Sequence, residues 1–120
     1  MEKLVNIFKI FSDETRLRII VLLAQQELCV CELSGMLDIP QPKISKSLSK
    51  LRDMNLVIDK RNEKYVFYKL KSENVIFTNT VTNIINNLDD YPQLIIDKNK
   101  LSDKDHYLKQ CNINSNINIY

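Results

Sequence analysis

The stretch Glu27-Leu-Cys-Val-Cys-Glu-Leu-Ser-Gly-Met-Leu-Asp-Ile-Pro40, continued by Gln41-Pro-Lys-Ile-Ser-Lys-Ser-Leu-Ser-Lys-Leu-Arg52, holds two short helical patterns and the break between them at Asp38-Ile39-Pro40. In the first pattern Leu33 and Leu37 lie four residues apart, on one face. In the second, Ile44, Leu48 and Leu51 fall at i, i+4 and i+7, an apolar stripe of helical period. The other face carries Lys43, Ser45, Lys46, Ser47, Ser49 and Lys50. Pro42 suits the first turn, where its missing N–H leaves no bond unmade. A short helix, a tight turn and a helix with an apolar back and a Lys/Ser front predict a helix-turn-helix. The back docks in a core and the front fits a DNA major groove.

Upstream, Leu4, Ile7, Phe8 and Phe11 repeat at i, i+3, i+4 and i+7, which predicts an amphipathic first helix. Ser12 is the expected cap of the next helix, with Asp13 and Glu14 favourable beside its positive end. That helix carries Leu17, Ile20, Val21, Leu23 and Ala24 over a wide apolar arc and belongs at the centre of the core. Downstream, Leu56-Val57-Ile58 and Tyr65-Val66-Phe67-Tyr68 are β-branched and aromatic runs on either side of the charged segment 59–64. They predict a β-hairpin, with Asn62 taking the left-handed turn position. A basic hairpin directly after such a helix is a wing.

From Ser72 the pattern is helical again, with Val81, Ile84, Ile85 and Leu88 on one face. The first and last helices each keep an apolar face that one small domain does not bury fully. Leu4, Ile7, Phe8, Phe11, Val81, Ile84, Ile85 and Leu88 are therefore the predicted contacts between two copies of the chain. The expected fold class is mainly α with a β-hairpin, a dimeric winged helix-turn-helix over residues 1–90. After Asp89-Asp90-Tyr91-Pro92 the pattern decays, and residues 91–120 are expected as a mobile C-terminal tail.

A length of 120 residues fits one domain with a modest core. The 44% hydrophobic and 27% charged residues are ordinary for a globular chain. A net charge of +2 is too small to advertise nucleic-acid binding by itself. Its distribution says more, because basic residues gather in 43–52 and again in 60–71. A charged helix face is usually only solvated, but the break before this one and the wing after it favour double-stranded DNA. Lys43, Lys46 and Lys50 suit phosphates or guanine edges, and Gln41, Ser45 and Ser47 can donate and accept beside them. Arg61 and Lys64 at the wing tip suit backbone or minor groove. With no signal peptide and no apolar run long enough to span a membrane, the expected location is the cytoplasm. Three cysteines, an odd number, then read as thiols rather than a disulfide framework.

Asp13-Glu14-Thr15-Arg16-Leu17-Arg18-Ile19 resembles the start of the second helix in the ArsR/SmtB family of metal-responsive repressors. Glu27-Leu-Cys-Val-Cys-Glu-Leu33 is similar to that family's thiolate sensor sequence, and Gln41-Pro-Lys-Ile-Ser-Lys-Ser-Leu48 to its recognition helix. The likeness covers roughly residues 2–90. It implies a homodimeric repressor of a resistance operon that leaves DNA when its metal binds. Two positions depart from the pattern. Ser47 stands where the family very often has His, and Ser34 where the best-known arsenic sensors carry a third cysteine.

The resemblance makes Cys29 and Cys31 the metal ligands, with trivalent arsenic or antimony as the inducer. Soft thiolates select soft ions, and a helix N-terminus is expected to lower the thiol pKa. On a regular helix, residues two apart point about 200° from each other, so both bind one ion only if the first turn distorts. Trivalent arsenic takes three ligands. The third is Cys111, from either chain, or a water or small thiol. Cadmium, lead or zinc is the competing ligand class, and thiol oxidation a competing input. Zinc sensors of the family use His and acidic residues on the last helix, but residues 72–88 contain no His, and His106 stands alone in the tail. A small thiol redox enzyme is the reading from another class. It needs a phosphate loop or a Cys-x-x-Cys motif, and neither is present.

Overall fold

The structure, a computed structural model, describes residues 1–109. Helix α1 (Glu2–Phe11) leads into α2 (Glu14–Leu23). Asp13, not Ser12, caps α2: its Oδ2 accepts from the backbone N–H of Arg16 at 2.9 Å. Ser12 instead closes α1, its hydroxyl donating to the Lys9 carbonyl at 2.7 Å. A carboxylate one residue nearer the helix has both the reach and the charge for the positive end.

A two-residue strand β1 (Leu28–Cys29) precedes α3 (Val30–Leu37), which ends at Asp38 in the left-handed region with φ 55. Helix α4 (Gln41–Asp53) follows, with Pro40 as N-cap and Pro42 in its first turn. Strands β2 (Val57–Asn62) and β3 (Tyr65–Leu70) form the hairpin, and the antiparallel sheet has the order β1-β3-β2. Asn62 pairs with Tyr65, so the turn is Glu63-Lys64 and the left-handed residue is Glu63 (φ 59) rather than Asn62. In a two-residue hairpin the twist of the strands requires positive φ at the first central residue. Helix α5 (Val75–Asn86) begins after Asn74, whose side chain accepts from Phe77 N at 3.0 Å.

The core is built around α2, whose Ile19, Ile20 and Leu22 are fully buried. Leu33 and Met36 of α3 pack there, with Ile44, Leu48 and Leu51 of α4 and Phe77 of α5. The stripe that organises the sequence is thus the surface that seats α4. The faces expected to join two copies divide. Ile7, Val81 and Leu88 are buried inside the single chain, because they meet α2 and its neighbours. Phe11 stacks on Phe77 with ring centroids 5.4 Å apart, and Ile84 and Ile85 are half-buried. Leu4 and Phe8 remain open at 41% and 57% exposure, and α5 adds Val75 and Ile76 at 66% and 47%.

The ordered fold does not stop at residue 90. Helix α6 (Pro92–Asn99), a 3-10 turn (Lys100–Asp103) and a helical stretch over 104–109 run back across the domain. Asp97 is fully buried, and its two carboxylate oxygens each accept from the Arg18 guanidinium at 2.9 Å. Gln93 Nε2 adds a bond to the same carboxylate at 3.0 Å. The apolar pattern decays here in sequence because an ion pair anchors α6. Of the expected tail, residues 110–120, Cys111 among them, lie outside the described residues.

Candidate metal and nucleic-acid sites

Cys29 is the N-cap of α3, with extended backbone (φ −96, ψ 171). It is also the last residue of β1, paired with Phe67 of the wing strand β3. Its backbone N–H donates to Glu32 Oε1 at 3.0 Å, and its sulfur receives the backbone N–H of Glu32, a reciprocal cap with sulfur in the place of the usual hydroxyl. Cys29 and Cys31 are therefore not two positions of one helical turn, as the spacing had implied. One lies in extended backbone and the other in the first turn, so the angle of a regular helix does not apply between them.

Cys29 is 2% exposed. Burial pushes its thiol up to about 11; the backbone N–H groups of Glu32 and Cys31 pull down, while the charge of the Glu32 carboxylate adds to the rise. The lowering expected at a helix N-terminus is present but loses to desolvation, because Cys29 is buried beside the buried Glu32 carboxylate. The thiol therefore holds its proton at neutral pH. The linkage has a definite sign. A thiol whose folded pKa lies above its unfolded value contributes stability that is intact below pH 9 and lost as pH rises through about 11. The unfolding free energy of the reduced chain should fall more steeply than that of Cys29→Ser over this window, by up to about 1.4 kcal/mol per pH unit. Urea unfolding at a series of pH values measures it, and parallel curves would remove the buried-thiol assignment.

Cys29 is a free thiol, but Cys31 is disulfide-bonded, against the expectation of three thiols; it is half-buried, and its Sγ accepts a hydrogen bond from Gln41 Nε2 at 3.7 Å. Gln41 is the first residue of α4. Sequence reasoning missed both Glu32 and this role of Gln41, though the acid three residues after Cys29 was visible. Among the described residues no group of three His, Cys, Asp or Glu side chains stands together to hold a metal ion. The soft donors at the head of α3 are the sulfurs of Cys29 and, once its disulfide is reduced, Cys31, a chemistry that suits a thiophilic ion.

On α4, Gln41, Lys43, Ser45, Lys46 and Lys50 are exposed and lie opposite the buried stripe. Ser47 is not among them. It is 8% exposed, because it sits three residues from Ile44 and four from Leu51, within the stripe itself. Arg61, near the end of β2, and Lys64, in the turn itself, are both exposed at the hairpin tip. Arg52, which the sequence reading passed over, reaches Asp59 of β2 at 3.7 Å and ties α4 to the wing. With both partners exposed, that pair sets orientation more than stability.

Comparison with known proteins gives one consistent picture. Residues 13–59 match the family model described as bacterial regulatory protein, arsR family. The arsenical resistance operon repressor of Escherichia coli is 49% identical over 67 residues, 55% of this chain and 57% of that one. The arsenical resistance operon repressor of Staphylococcus xylosus is 35% identical over 88 residues, 73% of this chain and 85% of that one. A cadmium resistance transcriptional regulatory protein of Listeria innocua is 34% identical over 70 residues, 58% of this chain and 59% of its own length. Among solved structures, reduced HlyU from Vibrio cholerae superposes with a TM-score of 0.63 at 32% identity, over 69% of this chain and 85% of that one. The chain spans between 53% and 60% of the arsenic resistance regulators it matches at 44% to 49% identity.

Proposed function

The chain belongs to the arsR family of bacterial regulatory proteins, and from that premise we propose that it is a dimeric, operator-binding transcriptional repressor released by trivalent arsenic or antimony at Cys29 and Cys31. The observation that carries the proposal is the bond from Gln41 to the Cys31 sulfur. It joins the candidate sensor directly to the first turn of the helix that presents Lys43, Lys46 and Lys50. Cys29 touches DNA-binding elements from the other side, through its pairing with Phe67 in the wing. An inducer that takes the sulfur lone pairs competes with the Gln41 bond and with the α3 cap. Both the recognition helix and the wing then feel one binding event, and a ligand shifts the equilibrium only through such a difference between two states.

Arsenous acid suits a thiol that keeps its proton, as Cys29 does, since such protons leave with hydroxide as water. Divalent cations must expel those protons into solution. The relative named for cadmium resistance makes a divalent thiophile the second reading, and titrating one DNA complex with arsenite, cadmium, zinc and peroxide in parallel separates them. The open apolar residues Leu4, Phe8, Val75 and Ile76, on helices joined by the Phe11–Phe77 stack, are the surface for the second copy. Among the described residues no helix is long and apolar enough to cross a membrane, and we place the repressor in the cytoplasm with its DNA.

The DNA assignment has a direct test. Against a duplex selected by the parent chain from a random library, Lys46→Ala and Arg61→Ala should each weaken binding by roughly 1 kcal/mol and lower the salt slope by about one. Ser47→Ala, buried in the stripe, should leave the slope alone. Unchanged affinity and slope in both basic variants would sink the assignment of α4 and the wing.

A further inference from the structure

We propose that the chain carries a separate site for an organic ligand, a cavity between α2, the return strand of the wing and α5 that takes a small amphipathic carboxylate. The cysteines and the Lys/Ser face of α4 have no part in it. The cavity has a volume of about 350 Å³, and its apolar walls are Leu23 at the end of α2, Leu70 at the end of β3, and Phe77, Val81 and Ile85 on α5. A water's share of liquid volume is about 30 Å³, so the cavity takes on the order of ten non-hydrogen atoms. Small-molecule sites are concave and mostly apolar, with a few placed polar groups that fix the ligand's orientation.

The first such group here is Thr78, which lines the cavity. Its Oγ1 is buried and has no hydrogen-bond partner among the described residues. On the same helix the hydroxyls of Thr80 and Thr82 each donate to the carbonyl four residues back, at 2.7 and 2.9 Å. A buried hydroxyl without a partner is rare and calls for a reason. Threonine in a helix divides between two χ1 rotamers. With no bond holding the inward one, a turn about χ1 offers the hydroxyl to a ligand.

The second group is a charge of one sign. Lys69 and Lys71 line the cavity, and among the described residues no Asp or Glu does. Lys71 Nζ already donates to Asn55 Oδ1 at 2.6 Å, whereas Lys69 is exposed on the rim. An apolar body against Leu70, Val81 and Ile85, with an anionic head between Thr78 and Lys69, meets both polar groups at once. A second copy of the chain is the rival occupant. Val75 and Ile76, the α5 residues most open to another copy, are not among the lining residues.

The test uses the full chain with labelled Ile, Leu and Val methyl groups, titrated with octanoate, octanol and octylamine. Octanoate should shift the Leu70, Val81 and Ile85 signals saturably, with Kd at or below about 1 mM. Octanol and octylamine should bind about tenfold or more weakly, and Lys69→Gln should bring octanoate down to the octanol value. Thr78→Val, which keeps the shape and removes the hydroxyl, should weaken octanoate about fivefold. Ala24→Trp, at an exposed lining position, should fill the mouth and abolish binding. Absent methyl shifts, equal binding of the three probes, or undiminished binding in Ala24→Trp overturn the proposal. So does octanoate binding only as a dimer dissociates in sedimentation, since the cavity then belongs to the second copy.

Discussion

The Cys29→Ser/Cys31→Ser double variant should bind operator DNA as the parent does and should stay bound when arsenite is added. The two halves of this result have separate causes. Serine is among the best N-cap residues, so position 29 keeps its reciprocal bond with Glu32, and the apolar stripe beneath α4 is untouched. An alcohol is a poor ligand for a soft ion, so the inducer loses its site. In the parent, useful release needs a coupling of about 1–3 kcal/mol, or roughly a 5- to 150-fold loss of DNA affinity with arsenite bound. In the double variant the same titration should leave affinity within about twofold, inside the scatter of such couplings. Fluorescence anisotropy of labelled operator at increasing arsenite measures both. If arsenite frees the double variant as readily as the parent, the sensor lies elsewhere.

Asp97→Ala should lower stability by about 3 kcal/mol, because it strands a guanidinium between α2, α3 and α6. The figure sits at the low end for a broken buried pair, since the Arg18 side chain keeps 15% exposure and can turn partly to water while Asp97 is at 1%. For a domain of this size the thermal midpoint should fall by roughly 10 °C. Replacing both partners, Arg18→Met with Asp97→Leu, should recover most of the loss, because no charge is then left buried. Calorimetry of the three chains decides it. A midpoint within about 2 °C of the parent in Asp97→Ala would mean that α6 does not dock through this carboxylate.

What the sequence disclosed and what it hid follow one division. Period was legible: Ile44, Leu48 and Leu51 placed α4, and the two β-branched runs placed the hairpin, because local pattern and tertiary burial agree there. Polarity misled. Ser47 read as groove-facing by its hydroxyl, yet its spacing from Ile44 and Leu51 puts it inside. Helix α6 was invisible, since its anchor joins residues 79 apart through charge rather than through any periodic signal. The reactivity of Cys29 was misjudged for a related reason. A helix end is visible in sequence, whereas the burial that overrules it comes from residues brought together only by the fold.

Three turns, at Asp38, Asn55 and Glu63, hold left-handed backbone with φ of 55, 62 and 59 and no glycine, while the one glycine sits in a helix under an aromatic ring. This inverts the usual map of mutational tolerance. Glycine is admissible at all three turns, where it relieves a steric conflict, but at position 35 even alanine, the better helix former, is excluded by Tyr107. A library that varies the residues packed on α3 should therefore leave position 35 alone. The segment over 104–109 is open to selection, and the spot that lets it cross α3 is closed.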